Sequence, residues 1–294
     1  MIRPLFDAAW RAAAYCVHPL VILLSLLPLV LISASAYVLS KLYWESALDA
    51  VRGAFESWSL LEALFKWLAS IGMSGLKAVL APMVVVLLAT PVLVILSLVA
   101  VAVLMAPAML KLVARRRFPS LEMRRGGSFA GSLFVSLSAS VIAVVAMIVS
   151  VPFWLIPPVV LVVPPLIWGW LTYRVMSYDM LADHASKQER QELVRRHRWT
   201  LLGMGILTGY LGAAPSLLWI SGAMFIALAP LLAPVAIWIY TLVFAFSALW
   251  FAHYLLAALQ VHRAHHEAAV AEAPVVAETL TLENSTEVVH RLDS

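Results

Sequence analysis

Asp179, Asp183 and His184 are the group in this chain with the most chemical reach. On a helix the two carboxylates lie one turn apart, and with the imidazole they can hold a cation or relay a proton. Arg174, Lys187 and Arg190 flank them, so mutual pairing in a solvated turn is the plainer alternative. Ser186-Lys187-Gln188-Glu189 reads as a capping box that starts a new helix just after them. Farther on, His262 and His266 stand at i, i+4 beside His265. They can share a metal ion, but for want of a carboxylate or Cys partner no metal is assigned. Gly203, Gly205, Gly209 and Gly212 lead into Ala213-Ala214-Pro215. The Gly205-x-x-x-Gly209 spacing lets helices approach closely in lipid, and a glycine-rich helix entrance can also show its amides to an anion. There is no HExxH, no GxSxG and no phosphate-cradling Gly-Lys motif, so neither an enzyme nor a cofactor is indicated.

The elements that must position these groups are helices in a membrane. Residues 199–262 contain no Asp, Glu, Lys or Arg, and neither do 12–40, 78–110 or 126–173. One helical crossing needs only about 20 apolar residues. Charged residues make up 12% and hydrophobic ones 63% of the 294, with a mean hydropathy of +0.95. Soluble domains carry roughly 25% charge. The apolar stretches are unbroken rather than alternating, which argues against a barrel. A single cysteine, Cys16, excludes a disulfide framework within one chain, and a net charge of +4 is too small to point to nucleic acid. The expected class is an all-α polytopic membrane protein with long spanning helices and proline-broken hairpins that either cross fully or re-enter.

Lys and Arg place the loops. Residues 111–125 hold six basic side chains against Glu122, and 174–198 hold six with four interleaved acids. Both islands are expected on the cytoplasmic side, with 41–77 opposite and the N-terminus cytoplasmic. An interfacial helix is expected over 3–15, where Arg3, Asp7 and Arg11 oppose Phe6, Ala9, Trp10 and Ala13. Ala34-Ser35-Ala36 has the form of a signal cleavage site, but the flanks favour an uncleaved first span. Apolar segments are expected at about 17–39, 79–110, 131–151, 153–173, 200–222 and 224–258. An amphipathic helix is expected over about 44–70, its stripe running from Trp44 through Leu48, Val51, Phe55, Trp58, Leu61 and Phe65 to Leu68. Such a helix suits the membrane surface or a partner helix equally. Pro152, Pro157, Pro158, Pro164 and Pro165 should turn the chain near 152–158. The helical domain thus spans 1–263, and 264–294 read as a disordered cytoplasmic tail.

Tyr178-Asp179 after a Trp-rich span, Asp183-His184, a charged helix to Arg198, Gly205-Ile206-Leu207-Thr208 and then Pro215 form a pattern that resembles the CysZ sulfate-permease proteins. These belong to the broader etoposide-induced protein 2.4 membrane family. The resemblance is best over 134–222 and weaker over 10–31. It implies a bacterial inner-membrane protein with re-entrant hairpins, assembled as a homo-oligomer, that passes sulfate or a similar small inorganic anion. One departure matters. Those proteins commonly carry Pro-Gly and paired arginines before the first span, where this chain reads His18-Pro19-Leu20-Val21. An oxyanion losing its water needs donors or positive charge, and arginine suits that best.

Two functions follow. In a passive anion pore, His18, Arg174, Arg198 and Thr208 are the candidate contacts, with amides at the broken hairpins. No ATP motif is present, and the apolar stretches lack carboxylates for proton coupling. In a non-transporting scaffold, Gly205, Gly209, Gly212 and Pro215 pack helices, and the basic island at 111–125 binds anionic membrane lipids.

Overall fold

In a computed structural model of the chain, residues 2–73, 75–213 and 223–292 are described. The chain runs as α1 (Ile2–Cys16), α2 (Pro19–Ser25), α3 (Leu27–Ser57), α4 (Ser59–Ser70), α5 (Leu76–Arg117), α6 (Phe129–Ser150), a 3-10 turn (Val151–Leu155), α7 (Pro157–Ala182), α8 (Lys187–Arg196), α9 (Arg198–Ala213) and α10 (Ala223–Leu292). Among the described residues there is no strand, and four helical stretches are long and apolar enough to cross a membrane: Pro19–Ser57, Phe129–Leu155, Pro158–Ala182 and Pro234–Ala268. The all-α, multi-pass membrane class stands.

The chain divides into two compact units. One comprises Cys16–Ala108 and Pro215–Ala245. In it α3, at 31 residues, is about 47 Å long, half as long again as a bilayer core of about 30 Å. Here the structure corrects the sequence reading. The amphipathic helix expected over 44–70 is two helices, broken at Trp58, whose backbone is extended (φ −91°, ψ 105°). The Ser57 hydroxyl donates to the carbonyl of Ala54 in the last turn of α3. The apolar stripe survives the break by closing on itself, with the Phe55 and Phe65 rings 5.2 Å apart. Elsewhere in this unit the indole of Trp238 donates to the Ser25 hydroxyl at 2.8 Å.

The other unit comprises Met1–Tyr15, Met109–Ala214 and Phe246–Ser294. Its α6 shows how lipid inverts the usual rule. Phe129, Leu133, Phe134, Leu137, Val141 and Ile148 are exposed, while Ala139, Ala143 and Ser150 are buried. With hydrocarbon outside there is no gain in hiding Leu, so small residues take the contact face. The turn at 151–156 follows the prolines. Pro152 lies in the 3-10 turn, Ile156 is extended, and Pro157 and Pro158 open α7, where missing N–H groups cost nothing. The indole of Trp154 ties the turn to Ser150 Oγ at 3.1 Å.

α1 spans the interfacial helix expected at 3–15 and buries Ala8 and Ala12, one turn apart, while Phe6 and Trp10 stay exposed. At the other end, α10 runs on as helix to Leu292, a difference from the disordered tail expected from 264. The stretch is rich in Ala and Glu, good helix formers, and a helix satisfies its backbone without tertiary partners.

Candidate functional site

The charged segment between α7 and α9 is held by a ladder of backbone bonds. Arg124 N donates to His184 O at 3.3 Å, Arg125 N to Asp183 O at 3.0 Å, Gly126 N to Ala185 O at 2.9 Å and Gly127 N to Ala182 O at 2.9 Å. The approach is so close that a Cβ on Gly126 would lie 2.4 Å from backbone atoms of Ala185, Ser186 and Lys187. Only glycine fits there.

Beneath the ladder sits a fully engaged ion pair. The capping box predicted at Ser186 forms, with Ser186 Oγ accepting from Glu189 N and Glu189 Oε2 accepting from Ser186 N at 2.7 Å. Glu189 is buried and also accepts from Arg124 Nη1 at 2.9 Å and from Arg263 Nε at 2.9 Å and Nη2 at 3.1 Å. Arg263, itself buried, extends the same guanidinium to the carbonyls of Glu122 at 3.0 Å and His184 at 2.7 Å. A planar fork with five donors is the one side chain able to do this. Burial raises the Glu189 carboxyl, but the hydrogen bonds and charge of Arg263, with Ser186 and Arg124, override it and hold the group at about 2. Burial lowers His184, opposed by the Asp183 charge and aided by that of Arg263, and its buried Nδ1 lacks a partner.

The three groups that opened the sequence reading therefore diverge. Asp179 accepts from the Ser132 hydroxyl on α6, Asp183 is exposed, and His184 is buried beside Arg263. Arg190, a suspected partner of the acids, instead donates to Gly126 O at 2.9 Å and lies over the Tyr178 ring at 4.3 Å.

The anion-contact candidates are not brought together either. His18 caps α2, its Nδ1 accepting from Leu20 N at 3.2 Å. Arg174 is exposed on α7, and Arg198, exposed at the start of α9, stacks on the neighbouring Trp199. Thr208 is buried and shares its one hydroxyl proton between the carbonyls of Met204 and Gly205, so it has no donor left to offer an anion. Gly205 and Gly209 lie against α7. A Cβ on Gly205 would meet Gly169 O at 2.2 Å, and one on Gly209 would meet Pro165 O at 2.9 Å. A Cβ on Gly212 would meet nothing within 4 Å, and Pro215 lies outside the described residues.

A different pair emerges in this unit. His253, 1% exposed within α10, stands with Nδ1 3.3 Å from Arg117 Nη1 at the end of α5. Arg117 also donates to Asp7 Oδ2 at 2.9 Å, and Asp7 pairs with Arg11. Tyr15 meets the His253 ring edge-on at 4.9 Å between centroids. Arginine only donates, so His253 Nδ1 accepts and the neutral ring carries its proton on Nε2. That Nε2 is buried with no partner, a donor without an acceptor. Sequence reasoning passed over His253. Its signal was its place inside the charge-free run 199–262, where a polar side chain is costly and functional by default.

Comparison with known families decides the kinship. The family described as Sulfate transporter CysZ/Etoposide-induced protein 2.4 matches residues 8–221. The chain belongs to this family. No curated protein and no solved structure matches it. The matched range takes in Arg117, the Gly126 ladder, Glu189 and the glycine crossing, and it ends before His253 and Arg263. That description names a sulfate transporter, in keeping with the resemblance read over 134–222.

Proposed function

We propose that the chain is a passive anion permease of the CysZ type, with sulfate as the leading substrate, working as a homo-oligomer in the bacterial inner membrane with both termini cytoplasmic. The observation that carries this reading is the Arg117–His253 pair: a cation beside a buried N–H that has no acceptor. An oxyanion supplies the missing acceptor, and Arg117 supplies the charge that the absent arginine pair before the first span would have given. His18, Arg174 and Arg198 are then outlying contacts rather than one site.

Radiolabelled sulfate uptake into proteoliposomes tests the proposal, with empty liposomes and chloride competition as controls. Flux above the empty vesicles that falls in Arg117→Gln and His253→Ala is the expected result. No flux of sulfate or related oxyanions from folded protein would overturn it. A second reading, a non-transporting scaffold, draws on the crossing of α7 and α9, where Gly169, Gly205 and Gly209 leave no room for an ion between the helices.

A further inference from the structure

The i, i+4 histidines of the last helix, left without a metal for want of a carboxylate, face one in the fold. A recess of about 300 Å³ is lined by His262 and His266 of α10, by Glu192 of α8 and by Glu267. His262 Nε2 lies 3.8 Å from Glu192 Oε2. Two ligand atoms on the edge of a tetrahedral zinc site stand about 3.4 Å apart, so this pair is close to bracketing an ion already. The floor of the recess is the Glu189–Arg263–Arg124 cluster, whose charges are spent on one another. Among the described residues no Lys or Arg pairs with Glu192. It is therefore free to act as a ligand.

We propose that His262, His266 and Glu192 form a binding site for a zinc-class divalent ion, with water as the fourth ligand. Two imidazoles one helical turn apart plus one carboxylate is a donor set that suits such an ion, and an open fourth position is usual with three protein ligands. No three ligand groups among the described residues yet converge on one point. Glu192 and His266 are both exposed, so packing does not lock their side chains away from the recess. Bound metal would clip α8 to α10 beside Arg263, and since histidine must be neutral to ligate, binding releases protons and weakens in acid.

The test uses the full-length protein with its purification tag removed, titrated with Zn²⁺ and, for the spectrum, with Co²⁺. One ion per chain is expected, with the visible bands of four-coordinate Co²⁺. Affinity should fall in His262→Ala, in His266→Ala and in Glu192→Gln by more than the roughly 10–100-fold that loss of an outer partner costs a metal site. Because Glu192 and His266 are exposed, those variants should keep the melting temperature of the metal-free protein. Equal zinc binding by the parent and the His262→Ala/His266→Ala double variant would overturn the site, leaving His262 and Glu192 as side-by-side neighbours only. So would loss in the histidine variants with none in Glu192→Gln, since the carboxylate would then be no ligand.

Discussion

Glu189–Arg263 and Arg117–His253 are both polar pairs joining distant parts of the chain, yet one is complete and the other is not. In the first, every guanidinium nitrogen of Arg263 donates and both carboxylate oxygens of Glu189 accept at least one bond. In the second, His253 keeps a buried donor with nothing to receive it. A satisfied network fixes structure, while an orphaned polar group in a low-dielectric interior is costly and survives where something else uses it. On the proposed function, the comparison separates what holds the membrane protein together from what an anion would use.

The largest effect that would break this division comes from Arg263→Ala. It takes the bidentate partner from a buried carboxylate that keeps only Arg124 and Ser186, and a donor from the carbonyls of Glu122 and His184, and it should cost about 3 kcal/mol or more, read as lost thermal stability in detergent. Arg263→Lys should recover only part, since an ammonium cannot span the same acceptors. Equal stability in Arg263→Ala and the parent would remove the structural role. The same pair predicts an acid limb. The folded carboxyl of Glu189, near 2, lies below its ordinary value of 4.5. Its contribution is therefore complete above about pH 4.5 and is lost as pH falls from there toward 2. Thermal melts across that window, compared with Glu189→Gln, should show the parent losing stability and the variant staying flat over this contribution.

Next in size is the glycine crossing. Gly205→Ala should cost about 1–3 kcal/mol, because the added carbon meets the Gly169 carbonyl and both partners are backbone. At the open positions Gly203 and Gly212 the same change should be neutral or gain about 0.5–1 kcal/mol. A series in which all three behave alike would show that packing is not what Gly205 does. The comparison is sharpest at His253. His253→Phe keeps the bulk, so stability should hold while sulfate flux falls about tenfold or more, the loss of one hydrogen bond to a charged group. A fall in stability with unchanged flux would move His253 to the structural side.

Much of this was legible from residue order. The charge-free runs made helical membrane segments inescapable, the prolines at 152–158 placed the hairpin turn, and Ser186 with Glu189 announced the start of α8. All of these are local: hydropathy, a missing N–H and a reciprocal cap act within a few residues. The break at Trp58 was hidden because the apolar stripe continues through it, and periodicity cannot show that a helix has folded back on itself.

What only tertiary structure decided is which charges meet. Asp179, Asp183 and His184 are neighbours in sequence and point to three different places, while Glu189 and Arg263, or Arg117 and His253, meet across long separations. Composition says a buried charge needs a partner. It does not say which of twenty basic residues will be that partner, because the choice is made by helix packing. The order of residues set the membrane, the helices and their caps through short-range physics. The polar pairs that hold or use the fold depend on long-range geometry, and so does the carboxylate that faces His262.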